Sequence, residues 1–186
     1  MIEYIEETHQ YLYEGVLIPS VSMILHKTIF KDKYKEVPEY ILTAKAQYGS
    51  QVHEAIEILE QNNILIDSLN NQQLKSIQDY LEIKKENNLE VIEQEKIVCY
   101  KGIYAGRFDM IATVDGNISL LDVKTTAKLD IEYLSWQLSL YELAYGKKFK
   151  KLYAIWLPKK EPGQLVEIPR KSKKEIEKLL EELKDE

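Results

Sequence analysis

The chemistry in this chain starts at Asp122 and Lys124, which close the apolar run Ile118–Lys124 one residue apart. A period of two places Ile118, Leu120, Asp122 and Lys124 on one face of a strand and Ser119, Leu121 and Val123 on the other. A carboxylate and an ammonium pointing together at a strand end can hold a divalent cation and set a positive charge beside an atom under attack. The same pair also reads as a plain strand-end ion pair. Asp109 precedes Asp122 by thirteen residues across a short turn. It shares a face with Ala105, Arg107 and Ile111, and hairpin pairing brings it toward Asp122. Neighbouring carboxylates repel unless a cation or proton lies between them, and their hard oxygens suit Mg²⁺ or Mn²⁺.

Three further positions extend the set. Glu95 shares a face with Val91, Ile97 and Cys99, where an apolar side chain is expected; the alternative is an edge strand or bulge carrying Glu95 or Glu93 to solvent. His53 borders the stripe of Val52 and Ile56 with Glu57 one turn on, so imidazole and carboxylate share a helix face. It reads as a metal ligand or as a satisfied polar group beside a core. Gln137 and Tyr141, four apart, carry polar tips at the edge of an apolar stripe and also fit hydrogen-bonded core residues. His9 and His26 have no comparable setting.

These residues need a sheet and helices to position them. The start reads as a hairpin, with Ile2, Tyr4 and Ile5 in one run and Tyr11, Leu12 and Tyr13 in the next. Pro19 ends the extended stretch, and Ser20 or Ser22 caps a short helix carrying Val21, Ile24 and Leu25. A helix spans about Pro38 to Glu60, stopped by Asn62-Asn63; a second carries Leu74, Ile77 and Leu81 and ends at Asn87-Asn88. Three strands follow, roughly Leu89–Tyr100, Ile103–Val114 and Ile118–Lys124, with turns at Lys101-Gly102 and Asp115-Gly116-Asn117. An apolar helix from about Ile131 to Tyr145 carries Ile131, Leu134, Leu138, Tyr141 and Tyr145 and closes at Gly146. Lys151–Leu157 is a strand reached by a crossover, and a last helix opens with a Ser172–Glu175 capping box. The expected fold class is α/β: a central mixed β-sheet, an antiparallel meander plus a crossover strand, flanked by helices.

The 186 residues fit one domain spanning 1–186, with 45% hydrophobic and 30% charged residues, the balance of a globular chain. A single cysteine, Cys99, excludes an intrachain disulfide, a four-cysteine zinc site and a cysteine-ligated iron–sulphur cluster built by this chain. The opening MIEYIEETHQYLYEG is acidic and alternating, and no apolar run reaches membrane-spanning length, so an intracellular setting without membrane insertion is expected. Net charge is −6, which argues against a surface that grips nucleic acid everywhere. Lys147 to Lys174 nevertheless holds ten lysines and arginines against Glu161 and Glu167. That stretch reads as a backbone-binding patch or as a solvated surface.

Taken in order, YGSQVHEAIE, Glu95, AGRFDMI, LLDVKTT and QLSLY resemble the RecB-like branch of the PD-(D/E)XK nuclease superfamily. IPSVSMIL is similar to the opening of phage-type and mitochondrial-maintenance exonucleases in that branch. The resemblance covers roughly Ile18 to Tyr145 and implies a restriction-endonuclease-like core. It implies that His53, Asp109, Asp122 and the backbone carbonyl of Val123 ligate Mg²⁺ or Mn²⁺, that Lys124 is the catalytic lysine and that Glu95 is the supporting acid. Gln137 and Tyr141 match a Q-x-x-x-Y element beside the DNA, and Lys147 and Lys148 are expected to contact substrate. Asp109 follows Phe108 where the family's name has proline, and the cysteines of the iron–sulphur relatives are missing, which excludes that subgroup. The expected activity is metal-dependent DNA cleavage, by an exonuclease of recombination, repair or phage DNA processing, with DNA and recombination or replication proteins as partners. The rival is a nuclease fold kept for DNA binding or interaction without turnover.

Overall fold

The computed structural model describes residues 1–33, 35–61 and 69–183. The chain opens with β1 (Ile2–Ile5), β2 (Gln10–Tyr13) and β3 (Val16–Ile18), a three-stranded antiparallel sheet in that spatial order. The expected hairpin thus gains a third strand. Glu14 and Gly15, with φ of 51° and 79°, form the two-residue turn that joins β2 to β3. Of the two candidate serines, Ser20 caps α1 (Val21–Thr28), its Oγ accepting the Met23 amide at 3.1 Å. The Pro19 carbonyl accepts the Ala105 amide at 3.0 Å and ties this small sheet to the large one.

Next come α2 (Glu39–Glu60), burying Tyr48, Val52 and Ile56, and α3 (Asn71–Glu86), opened by an Asn70–Gln73 capping box. Asn62 and Asn63, expected to stop α2, lie outside the described residues. The buried face of α3 is formed by Ile77, Tyr80 and Ile83, whereas Leu81, expected on that stripe, is 46% exposed. Leu81 is one residue from Tyr80, about 100° around the helix, and so turns away from the sheet.

The main sheet comprises β4 (Glu90–Tyr100), β5 (Tyr104–Val114), β6 (Asn117–Lys124), β7 (Lys151–Trp156) and β8 (Gln164–Glu167), side by side in chain order. β4, β5 and β6 form the antiparallel meander. The crossover through α4 (Ile131–Tyr145) brings β7 parallel to β6, and β8 returns antiparallel on β7. Sequence patterning does not anticipate β8, because its four residues include only Leu165 and Val166 as apolar positions. The chain ends on α5 (Lys173–Glu182), with the Ser172–Glu175 capping box in place.

The sheet separates two cores. On one side α1, α4 and α5 pack on Phe108, Ile111, Leu120, Leu152 and Ala154. On the other, α2 and α3 pack on Met110, Ala112, Leu121, Val123 and Ile155. Each large apolar side chain so buried contributes about 1.5–3 kcal/mol, and the alternation of Leu120 and Leu121 between cores is what holds β6 in register. The centre of α4 is buried all round, Leu134 through Glu142, which explains its nearly continuous apolar sequence; Ile131, in its first turn, is 37% exposed.

Gly106 sets how closely α4 approaches the sheet. A Cβ there would run into the Tyr141 ring and lie 3.3 Å from Val21 Cγ2. Gly106→Ala is expected to lower stability by about 1–3 kcal/mol, the usual cost of overpacking, measured as a shift in the urea midpoint. An unchanged midpoint would show that α4 is free to move back.

Candidate metal and catalytic centre

Regular pairing fails where the chemistry gathers. The β5–β6 ladder runs from Val114–Asn117 to Met110–Leu121 and stops there. Beyond it the Asp109 side chain replaces a backbone partner: its Oδ2 accepts the Val123 amide at 2.6 Å. On the other edge of β5, ladder pairs Gln94–Met110 and Lys96–Phe108 flank Glu95 and Asp109, β4 bulges between Val91 and Glu93, and Glu95 has φ of 48°. A left-handed backbone at a non-glycine residue costs about 1–2 kcal/mol, and such local strain accompanies bulges that re-aim a side chain. The expected alternation of β5 is also broken. Phe108 and Ile111, three apart, both enter the core of α1, α4 and α5, while Met110 and Ala112 enter that of α2 and α3. Asp109 sits at the slip, so it does not simply share the face of Ile111.

His53 reaches this point from α2. Its Nδ1 is 3.4 Å from Asp109 Oδ1 and its Nε2 is 3.1 Å from the Val123 carbonyl oxygen. Burial opposes charge on the imidazole, but the Asp109 carboxylate outweighs it and raises His53 above its ordinary value. Burial likewise works to raise Asp109, and His53, Lys124 and the Val123 amide together hold it below the usual carboxylate range. The imidazole therefore spans Asp109 and the Val123 carbonyl, one ring nitrogen toward each.

Ligand atoms of His53, Glu95 and Asp109 all lie within 4.8 Å of one another. Glu95 is pushed up to about 7, first by burial and then by the Asp109 charge, against the pull of Arg107. Arg107 Nε contacts Glu95 Oε2 at 2.8 Å, and the guanidinium lies 5.1 Å from the centre of the Tyr4 ring. The bulge anticipated as the alternative for Glu95 is thus present, but it turns the carboxylate to Arg107 and Asp109 rather than to open solvent.

Asp122 stands beside this group and is buried. It pairs with Lys124, and its Oδ2 receives no hydrogen bond beyond that ion pair. Burial, reinforced by Asp109 and opposed by Lys124, raises Asp122 to about 6. Of the four expected metal-ligating groups, then, His53 touches both Asp109 and the Val123 carbonyl. Asp122 is engaged by Lys124, and Glu95 joins the cluster in its place.

From α4, Gln137 Nε2 donates to the Tyr141 hydroxyl at 3.2 Å, and Gln137 Oε1 is buried without a hydrogen bond. Burial raises Tyr141 well above its ordinary value, and the Asp122 and Asp109 charges add to that. Lys147 and Lys148 are not brought to this group. They line a groove with Ile118, at the opposite end of β6, and four residues of strand from Ile118 to Asp122 span about 13 Å.

Arg107, Tyr4 and Tyr11 have no expected role, yet they form one wall of the site. Tyr4 and Tyr11 lie 5.0 Å apart between ring centres, and burial with the Tyr4 neighbour raises Tyr11 to about 12. The only trace of this in the sequence is Arg107 two residues before Asp109, hence on its side of a regular strand.

A family model of the PD-(D/E)XK nuclease superfamily matches residues 72–186. No curated protein matches the chain. Among solved structures, one described as "Crystal structure of SSO0001" is 16% identical with a TM-score of 0.48, covering 89% of this chain and 74% of that one. The matched region holds Glu95, Asp109, Asp122 and Lys124 on a five-stranded mixed sheet flanked by helices, and the chain belongs to the PD-(D/E)XK nuclease superfamily, with its restriction-endonuclease-like core.

Proposed function

We propose that this protein is a Mg²⁺- or Mn²⁺-dependent deoxyribonuclease of the RecB-like branch, acting as an exonuclease in DNA recombination, repair or phage DNA processing. The observation that carries the reading is the meeting of His53, Glu95 and Asp109 within 4.8 Å, next to the Asp122–Lys124 pair. An imidazole and hard carboxylate oxygens form a donor set suited to these cations, and His53, Asp109, Asp122 and the Val123 carbonyl would hold one, with Glu95 as supporting acid. When bound, the cation supplies Lewis acidity toward the scissile phosphate and lowers the pKa of water.

The chain's own groups do the rest. Lys124, held by Asp122, sets a fixed positive charge where negative charge grows on the phosphoryl oxygens, and orients the attacking water. Glu95, near 7, is poised to take a proton from that water at neutral pH and pass it on. Burial of Asp122 and Tyr141 keeps bulk water from screening these charges. Gln137 and Tyr141 offer an amide oxygen and a hydroxyl to the substrate strand from the α4 side. The DNA then lies across the sheet rim, between α2 and α4.

Lys124→Ala is expected to lower cleavage of end-labelled linear DNA by about 10²–10⁴-fold with DNA binding retained, and closed circular DNA is expected to resist the wild type. Unchanged turnover in that variant would overturn the role of Lys124, and equal digestion of circles would overturn the exonuclease reading. Cation affinity carries a further test. Glu95 at about 7 and Asp122 at about 6 both hold protons more tightly than ordinary carboxylates, and raised His53 must also discharge to ligate. Mn²⁺ binding should therefore strengthen from about pH 5.5 to about pH 8 and release protons, read by calorimetry in buffers of different ionisation enthalpy. A pH-independent affinity without proton release would remove these groups from the site.

A further inference from the structure

The far end of the sheet holds a groove of about 830 Å³, distinct from the carboxylate centre. Its exposed floor is aliphatic: Ile92 and Ile118 are 52% and 53% exposed. Ile92 owes its exposure to the bulge between Val91 and Glu93 on the edge strand β4. Its rim carries Lys147, Lys148 and Lys150.

The ten cations of the 147–174 stretch fall into three groups: four are ion-paired, three rim the groove, and Lys159, which lies over the Tyr48 ring, Lys160 and Lys174 do not line it. Lys151 pairs with Glu167, Arg170 with Glu142, Lys171 with Glu132 and Glu175, and Lys173 with Glu177. Among the described residues, Lys147, Lys148 and Lys150 make no such ion pair, and all three are exposed. Their loop is nonetheless fixed. Buried Glu142 accepts the Phe149 amide at 2.7 Å and holds Arg170 at 2.6 Å, Arg170 donates to the Phe149 carbonyl at 2.9 Å, and the Lys150 amide donates to the Ile118 carbonyl at 2.9 Å. The buried network therefore presents three uncompensated positive charges over an apolar floor on a preorganised scaffold, which reduces the ordering cost of an occupant.

We propose that this groove is a docking site for an acidic peptide segment of a partner protein, its carboxylates on the three lysines and its aliphatic or aromatic anchors on Ile92 and Ile118. Charge complementarity selects an anionic occupant, and the floor decides its class. Sequence-tolerant nucleic-acid tracks stack bases on aromatic faces, whereas the exposed floor here is isoleucine, and the Tyr145 ring is already packed against Phe108 and Phe149 at 5.9 and 5.2 Å. Glu93 also lines the groove, and its charge is paired with Lys96 at 3.2 Å. The site leaves the carboxylate centre open, so a tethered partner and a bound substrate are compatible. The inference does not rest on the nuclease reading.

Fluorescence anisotropy of a labelled peptide of alternating Asp and Leu tests it, without metal or DNA cleavage. Salt-sensitive binding is expected that weakens about tenfold or more in Ile118→Ser and in Lys148→Glu, with the thermal midpoint of each variant unchanged. The same peptide with Ser in place of Leu should bind about tenfold more weakly. Absence of peptide binding, or binding that neither variant alters, overturns the proposal. Displacement of the peptide by oligothymidylate would assign the groove to nucleic acid instead. A concentration-dependent dimer in sedimentation, lost in Ile118→Ser, would assign it to a second copy of the chain.

Discussion

The bond from the Val123 amide to the Asp109 carboxylate is the point on which the site depends. Two antiparallel strands pair through backbone alone as far as Met110 and Leu121. Past that point a side chain takes the place of a carbonyl, so β6 continues without a β5 backbone partner and the rim opens. A buried amide cannot be left without an acceptor at acceptable cost, so the opening calls for a side-chain acceptor at residue 109, supplied by Asp109. The same acid faces His53, and its charge is felt by Glu95 and Asp122. Structural and chemical roles thus fall on one carboxylate.

The surrounding strain follows from that opening. Glu95 adopts a left-handed backbone opposite Asp109, and the bulge before it shifts the strand. The result is a cluster of carboxylates, each facing a basic side chain of the chain itself: His53 beside Asp109, Arg107 beside Glu95, and Lys124 beside Asp122. Each acid faces a basic group, but burial and the Asp109 charge prevail at Glu95 and Asp122, which are raised, whereas His53, Lys124 and the Val123 amide together outweigh burial at Asp109.

The two helical layers divide the task. α2 delivers His53 from the core that contains Val52 and Ile56, and α4 delivers Gln137 and Tyr141 from the opposite core. Gly106 lets the Tyr141 ring sit against β5, and the small N-terminal sheet closes the third side with Tyr4 and Tyr11 against Arg107. The cation-rich stretch after α4 divides similarly. Four of its ten members neutralise acids, and the loop at the far end of β6 presents three lysines that make no ion pair among the described residues.

Period and punctuation alone determined the meander, the crossover helix, the capping box at Ser172 and the pairing of Asp109 with the end of β6, because these depend on neighbours a few residues away. D-x-K at a strand end and the spacing to Asp109 carried the site's acids and lysine for the same reason. Tertiary structure alone decided that β8 adds an edge, since four residues with two apolar positions carry almost no local signal. It alone decided that Glu95 joins His53 and Asp109 while Asp122 turns to Lys124, because a bulge and a left-handed residue shift faces by one in a way that strict alternation cannot foresee. It also separated Lys147 and Lys148 from the acids: composition counts charge along the chain, but only packing places it in space.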